Sequence, residues 1–491
     1  MIQSIDYHAV GPVLILAATA LWLLLAGRRT ALPIALIGTA AALGWSLSLL
    51  GSRHETFCLP PAKLPRVVGG GQVGRSCSFV IDNRALLFQV VILVSLAVVL
   101  LQRREPGAPP GEWHLLLLCS ATGMLTIAAA RDLLTLVVAL EVLSLPSYAL
   151  AGLRRGDRRS SEAALKFFLV SVVSSAVTLL GMALLYGLTG SLQLDRIAGQ
   201  LGRGEIRGPA TAAAVVLTLI GFLFKVSAVP FHAWAPDTYE GAPLTITCWL
   251  AVASKVAGFA GLLTLLTDGL APYANVWGPV LAVLAALTMT VGNIVALAQR
   301  GVVRLLAWSS IAQAGYVLAA LAATRDQSAA RSAALAYIAI YAVTSLAVFA
   351  AVGLLARGGP LTLDGLRGRR RGAAAVMLTF AALNLAGAPP GLAGLFAKLV
   401  VVRVLVNGGL GWLAVFVAVN TALGLAVYLR LVAPLFAAVP DRPSGARHPG
   451  LGAPPGRPIL PALAAAVPTL GAVAIGVYPT LVLHLTDLAG R

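Results

Sequence analysis

Phe222-Leu-Phe-Lys-Val-Ser-Ala-Val-Pro230 sets a lysine inside an apolar run five residues ahead of a proline. In a run long enough to cross a bilayer, the proline removes a backbone donor and strands carbonyls that water cannot reach, so the stretch predicts a membrane helix broken at depth. A second stretch, Ala381-Ala-Leu-Asn-Leu-Ala-Gly-Ala-Pro389 followed by Pro390, has the same form. Placing Pro230 on Pro389 pairs Lys225 with Asn384. A similar offset brings Glu141 near Ser309, and Ser174-Ser175 beside Thr344-Ser345. Five spans therefore recur, and an odd number per copy inverts the second copy. Inverted repeats with helices broken at matched positions are a transporter pattern, with ion sites near the midplane.

Working outward, the chain is 491 residues long, 59% hydrophobic and only 11% charged, which predicts an all-α polytopic membrane protein. Apolar runs bounded by charge, Gly or Pro give about fourteen spans. The implied divisions are an N-terminal three-helix segment over 1–112 with an outward loop at 51–84, a first repeat over 113–271, a second and inverted repeat over 272–440, and a loop with the last helix over 441–491. Gly27-Arg28-Arg29 follows the first run in place of a small-residue cleavage site, so that run is expected to stay as a helix.

The net charge of +18 comes from arginines in connecting loops, where they set orientation rather than bind nucleic acid. Arg28, Arg29, Arg103, Arg104, Arg154, Arg155, Arg158, Arg159, Arg300, Arg304, the Arg367 to Arg371 cluster, Arg442, Arg447 and Arg457 share one side, expected to be cytoplasmic. Both termini then face outward. Cys119 and Cys248 lie in apolar runs and read as small buried groups. Cys58 and Cys77 share the outward 51–84 segment, where a disulfide is open and a metal site completed by His54 is disfavoured for want of tight ligand spacing.

Lysine is used differently from arginine. Of five lysines, Lys166, Lys225, Lys255 and Lys398 lie in or beside apolar runs. Arginine stays protonated at any working pH, whereas a desolvated amine can exchange its proton, so this placement points to proton handling. Glu141, the one carboxylate well inside a span, needs a partner or a proton, and a lysine of a neighbouring helix is the natural partner. Carbonyls freed ahead of Pro230 offer acceptors to Lys225. Lys255 sits mid-span among Ala, Ser and Gly, and Lys398 follows the second break. Lys166 is close enough to Arg158, Arg159 and Glu162 to snorkel to the surface. His232, just past Pro230, is either a relay or a structural ring bonded to freed backbone. Asp237 and Glu240 read as solvated charges. With no P-loop, dinucleotide fingerprint, Cys cluster or paired intramembrane His, the chain is not expected to carry out redox chemistry or nucleotide hydrolysis itself.

Glu141-Val-Leu-Ser-Leu-Pro-Ser-Tyr148, Glu162-Ala-Ala-Leu-Lys-Phe-Phe168, Leu185-Tyr-Gly-Leu-Thr-Gly-Ser191, Gly221 through Pro243, Lys255-Val-Ala-Gly-Phe259, and Gly292-Asn-Ile-Val-Ala-Leu297 to Leu306-Ala-Trp-Ser-Ser-Ile-Ala-Gln-Ala-Gly-Tyr316 resemble the antiporter-like membrane subunits of respiratory complex I, the proton-pumping NADH:quinone oxidoreductase. The resemblance is strongest to the N subunits and runs from Trp113 onward, with Trp234-Ala-Pro-Asp-Thr-Tyr-Glu-Gly-Ala-Pro243 its most specific stretch. It implies fourteen helices in a bacterial inner membrane and a proton path through Glu141, Lys225, Lys255 and Lys398, with Lys166 matching a further family lysine. It also implies sister antiporter-like subunits and lipid as partners, and NADH, FMN, iron–sulfur clusters and quinone held by other subunits, with no cofactor in this chain. The 51–84 segment departs from the family, so nothing is carried onto it. Two other readings remain: a subunit of a multisubunit sodium/proton antiporter, and a scaffold that does not conduct.

Overall fold

The computed structural model describes residues 5–25, 30–59, 76–102, 110–154, 156–204, 206, 208–356, 361–370, 372–438, 459–480 and 482. Arg28, Arg29, Arg103, Arg104, Arg155, Arg371, Arg442, Arg447 and Arg457, part of the loop charge pattern, lie outside them. Eighteen α-helices form among the described residues. The N-terminal part holds α1 (Tyr7–Leu25), α2 (Ala31–Ser48), α3 (Asn83–Leu101) and, between the last two, strands β1 (His54–Cys58) and β2 (Cys77–Ile81). There follow α4 (Pro110–Ala129), α5 (Leu133–Ala151), α6 (Arg158–Thr189), the short α7 (Leu194–Gly202) and α8 (Pro209–Lys225). Beyond them come α9 (Trp234–Gly241), α10 (Leu244–Trp249), α11 (Lys255–Thr264), α12 (Ala274–Ala298), α13 (Val302–Leu321) and α14 (Gln327–Ala356). The chain closes with α15 (Ala373–Ala386), α16 (Ala393–Asn407), α17 (Gly411–Phe436) and α18 (Ile459–Val477).

Polar residues punctuate the apolar runs. Asp82 and Asp132 cap α3 and α5 by accepting from the Ala85 and Thr135 amides at 2.8 and 2.7 Å. Among the described residues, twelve helical stretches are long and apolar enough to cross a membrane. Two shorter apolar helices, Pro209–Lys225 and Ala373–Ala386, are the ones that lead into the breaks. The expected seventh and twelfth spans are thus not continuous: the chain leaves helix after Lys225 and resumes at Trp234, and leaves it again after Ala386 to resume at Ala393. Both breaks fall where the two prolines place them.

Two further features depart from the sequence reading. The described residues of the 51–84 segment hold an antiparallel strand pair, β1 on β2, joined by a Cys58–Cys77 disulfide. His54 bonds Asp6 through Nδ1 at 2.8 Å. Second, the helix carrying Lys255 runs on through π-helical turns at Leu250–Ser254 and Leu265–Gly269, immediately before the lysine and again at its end.

Close approaches fix α8. A Cβ at Gly221 would sit 2.6 Å from Thr178 Oγ1, and one at Gly181 would collide with the Thr218 backbone, so α6 and α8 touch through facing glycines. The Gly221 amide donates to Thr178 at 2.6 Å, and Lys225 follows one turn later. The close approach of α6 and α8 thereby fixes where Lys225 enters the packing.

Candidate functional site

Lys225, Lys255 and Lys398 are 1%, 1% and 3% exposed, among the most enclosed polar groups of the fold. Lys225 Nζ donates to Ser144 Oγ at 2.8 Å and lies 5.3 Å above the Phe167 ring. Lys255 Nζ donates to the Ser310 carbonyl at 2.8 Å and to its hydroxyl at 3.0 Å. Lys398 Nζ donates to the Leu385 and Ala386 carbonyls at 3.1 and 2.7 Å, with Tyr316 beneath it at 5.3 Å. Among the described residues none of the three forms an ion pair. Each rests on neutral oxygen, which accepts from an ammonium and leaves no orphaned carboxylate when the proton departs.

The expected Glu141–Lys225 ion pair does not form. Glu141 is half-buried on α5 and accepts from Ser175 of α6 at 2.6 Å. It lies within electrostatic reach of Lys225, and Ser144, between them on α5, is the residue that touches the amine. Freed carbonyls hold a lysine at the second break, not the first. At the first, Trp234 Nε1 takes the Phe224 carbonyl at 3.0 Å, with its ring stacked on Phe167. At the second, Asn384, which the sequence offset pairs with Lys225, accepts from the Gly394 amide at 2.9 Å and clamps the two half-helices together.

Lys166 joins a different group. It is about half exposed and pairs with Glu162 at 2.8 Å and Asp237 at 3.1 Å, while Arg304 bonds Asp237 at 2.9 Å and Glu240 at 2.8 Å. Asp237 and Glu240 are thus ion-paired rather than merely solvated. Burial would raise the Asp237 carboxyl, but the Lys166 and Arg304 bonds outweigh it and hold the group below its ordinary value. His232 is half-buried, its ring 5.3 Å from Trp308, its Nδ1 without a protein partner and within electrostatic reach of Lys255. Buried oxygens of Ser227 and Ser254 also lack protein partners. Such atoms, near the break and near Lys255, are those that internal water satisfies.

Sequence reading missed the network between Lys255 and Lys398. Ser309 meets the Tyr428 hydroxyl at 2.5 Å, Gln313 Nε2 donates to that hydroxyl at 2.9 Å, and the Tyr337 hydroxyl donates to Gln313 Oε1 at 2.6 Å. Only the spacing of Ser309, Ser310 and Gln313 on one helix hinted at it. Also missed was an ion cluster at the hairpin end: Arg84 forks onto Asp268 at 3.0 and 2.5 Å, and Arg131 bonds Asp82 at 2.9 Å. A cavity of about 480 Å³ opens there, with Arg331 on its wall.

The chain matches the family model described as NADH:quinone oxidoreductase/Mrp antiporter transmembrane region over residues 130–424. It is 48% identical over 470 residues to the NADH-quinone oxidoreductase subunit N of Salinispora tropica, covering 90% of this chain and 87% of that one. To NADH-quinone oxidoreductase subunit N 2 of Streptomyces griseus it is 45% identical over 479 residues, covering 93% and 88%. Among solved structures, a chain of respiratory complex I from Thermus thermophilus superposes with a TM-score of 0.77 at 33% identity, covering 96% of this chain and 98% of that one. A chain of the Mrp complex from Dietzia superposes with a TM-score of 0.82 at 22% identity, covering 99% and 97%, a likeness of fold alone.

Proposed function

This chain belongs to the NADH-quinone oxidoreductase subunit N family, a multi-pass membrane subunit of that complex, and on that premise we propose that it translocates protons. The proton enters from the cytoplasm, passes Lys225 under the influence of Glu141, crosses to Lys255 and then Lys398, and leaves outward across a bacterial inner membrane with both termini outside. We read 113–271 and 272–440 as two inverted copies, a reading supported by the paired breaks and by Lys225 and Asn384 at matched places. The redox chemistry is read as residing in other subunits, with sister antiporter-like subunits beside this one.

The observation that carries the proposal is three fully enclosed lysines resting on hydroxyls and backbone carbonyls. A structural lysine at such depth is ordinarily neutralised by a carboxylate, since an unpaired buried charge is costly. Neutral oxygens tolerate both protonation states. Moving one charge against 100 mV requires about 2.3 kcal/mol, within the range of making or breaking a partly desolvated electrostatic contact such as that between Glu141 and Lys225. Lys166 and His232 sit at the entrance side of this route: Lys166 in the Glu162, Asp237 and Arg304 cluster, His232 near Lys255.

The test is proton translocation by the assembled complex in sealed vesicles carrying Glu141→Gln or Lys225→Ala. The proposal expects fewer protons moved per NADH oxidised in both. Unchanged pumping in both would remove it.

A further inference from the structure

One face of α13 lies between Lys255 and Lys398. Ser310 holds Lys255, Tyr316 lies under Lys398, and Gln313 stands between them on the same helical face. Gln313 is buried and its amide is fully engaged: Oε1 accepts from Tyr337 at 2.6 Å, and Nε2 donates to Tyr428 at 2.9 Å and reaches the Leu385 carbonyl at 3.5 Å. Lys398 Nζ donates to that same carbonyl at 3.1 Å. The amide and the lysine share one acceptor.

The geometry points to Gln313 as a gate between Lys255 and Lys398, set by whether Lys398 is charged; this rests on the proton-translocation reading above. A carboxamide neither stores nor releases a proton under working conditions, so a side chain that fills the passage insulates it. A charged Lys398 holds the Leu385 carbonyl with a charge-assisted bond roughly twice as strong as a neutral one, and the amide stays on Tyr428 and Tyr337. When Lys398 passes its proton on, the carbonyl is released to Gln313, and the amide swings toward it and clears the side facing Ser309 and Ser310. A proton then leaves Lys255 Nζ, moves through water and ends on the lone pair of neutral Lys398 Nζ. Gln313 itself is never protonated. The gate opens only toward an empty acceptor, which prevents back-flow.

The test uses the assembled complex in sealed vesicles and two readings, passive decay of an imposed pH gradient without NADH and protons moved per NADH oxidised. Gln313→Ala removes the plug and is expected to speed passive decay about fivefold, the population change that follows from losing one ordinary hydrogen bond. Gln313→Leu keeps the bulk without the hydrogen bonds and is expected to add no leak while lowering the protons moved per NADH. Tyr337→Phe, which frees Oε1 with little change of shape, is expected to leak to an intermediate extent and decides the matter if Gln313→Ala does not assemble. Lys255→Ala is measured alongside. If it lowers translocation while the Ala and Leu variants of Gln313 behave alike, the gate is wrong and the path stands. If Lys255→Ala changes nothing, the underlying reading fails instead.

Discussion

Lys225 Nζ donates to Ser144 Oγ at 2.8 Å, less than one helical turn beyond Glu141 on the same helix. The amine is therefore held by a hydroxyl on the acid's own helix rather than by a salt bridge to the acid. Ser144 Oγ itself donates to the Leu140 carbonyl at 2.5 Å, which fixes its lone pair toward Lys225. Ser144→Ala removes the one protein hydrogen bond seen on this amine, and bonds to charged groups contribute about 1.5–3 kcal/mol. The rate of proton passage at this step is expected to fall by about tenfold or more, with assembly retained, as read by dye quenching in vesicles and by the amount of intact complex on a native gel.

Trp234 should prove structural. Its indole donates to the Phe224 carbonyl beside the Ser227 amide, and its ring stacks on Phe167 at 4.4 Å. Trp234→Phe keeps most of the stacking but loses the indole hydrogen bond, at a cost of about 0.5–1.5 kcal/mol. A lower thermal midpoint of the purified complex is expected, larger than that for Trp412→Phe on an exposed part of α17.

The ion cluster at the hairpin end ties three parts of the chain together. Asp268 terminates the Lys255 helix, and Arg84 and Arg131 reach it from α3 and from the link between α4 and α5. Asp268→Asn leaves two enclosed guanidiniums short of charge, which typically costs about 3–5 kcal/mol. The assembled complex is expected to be recovered in reduced amount. Equal recovery of Asp268→Asn and wild type would show that the cluster is not a tie.

At the opposite end the sign of the pH effect is fixed by Asp237. Its carboxyl titrates below the ordinary value of 3.8 because the Lys166 and Arg304 bonds outweigh the burial that opposes them. The stability it contributes is complete above that ordinary value and is lost as pH falls through the lowered one. The contribution is small, since partly exposed pairs contribute less than about 1 kcal/mol. The gap in melting temperature between wild type and Asp237→Asn should hold from neutral pH down to about pH 4 and close below it.

Much of this was readable before any coordinates. The apolar runs, the two prolines and the placement of Lys225, Lys255 and Lys398 are local signals, and hydrocarbon leaves them few structural outcomes. Partner choice was not local. Nothing in Phe222 to Pro230 reveals that Trp234 would reach the Phe224 carbonyl and Ser144 the amine, because both depend on how α5, α6 and α8 pack. Gln313 and Tyr428 are 115 residues apart, and their contact follows only from the crossing of α13 and α17. The hairpin was hidden because the pairing of His54 with Ile81 spans a segment whose composition reads as loop.

The central claim is that protons pass through this chain by way of Lys255, the middle lysine, which among the described residues is held by Ser310. The most direct measurement is the number of protons moved per NADH oxidised by the assembled Lys255→Ala complex in sealed vesicles. The account predicts a lower ratio with NADH oxidation still detectable and normal assembly. A ratio equal to that of the wild type, at equal assembly, would contradict it.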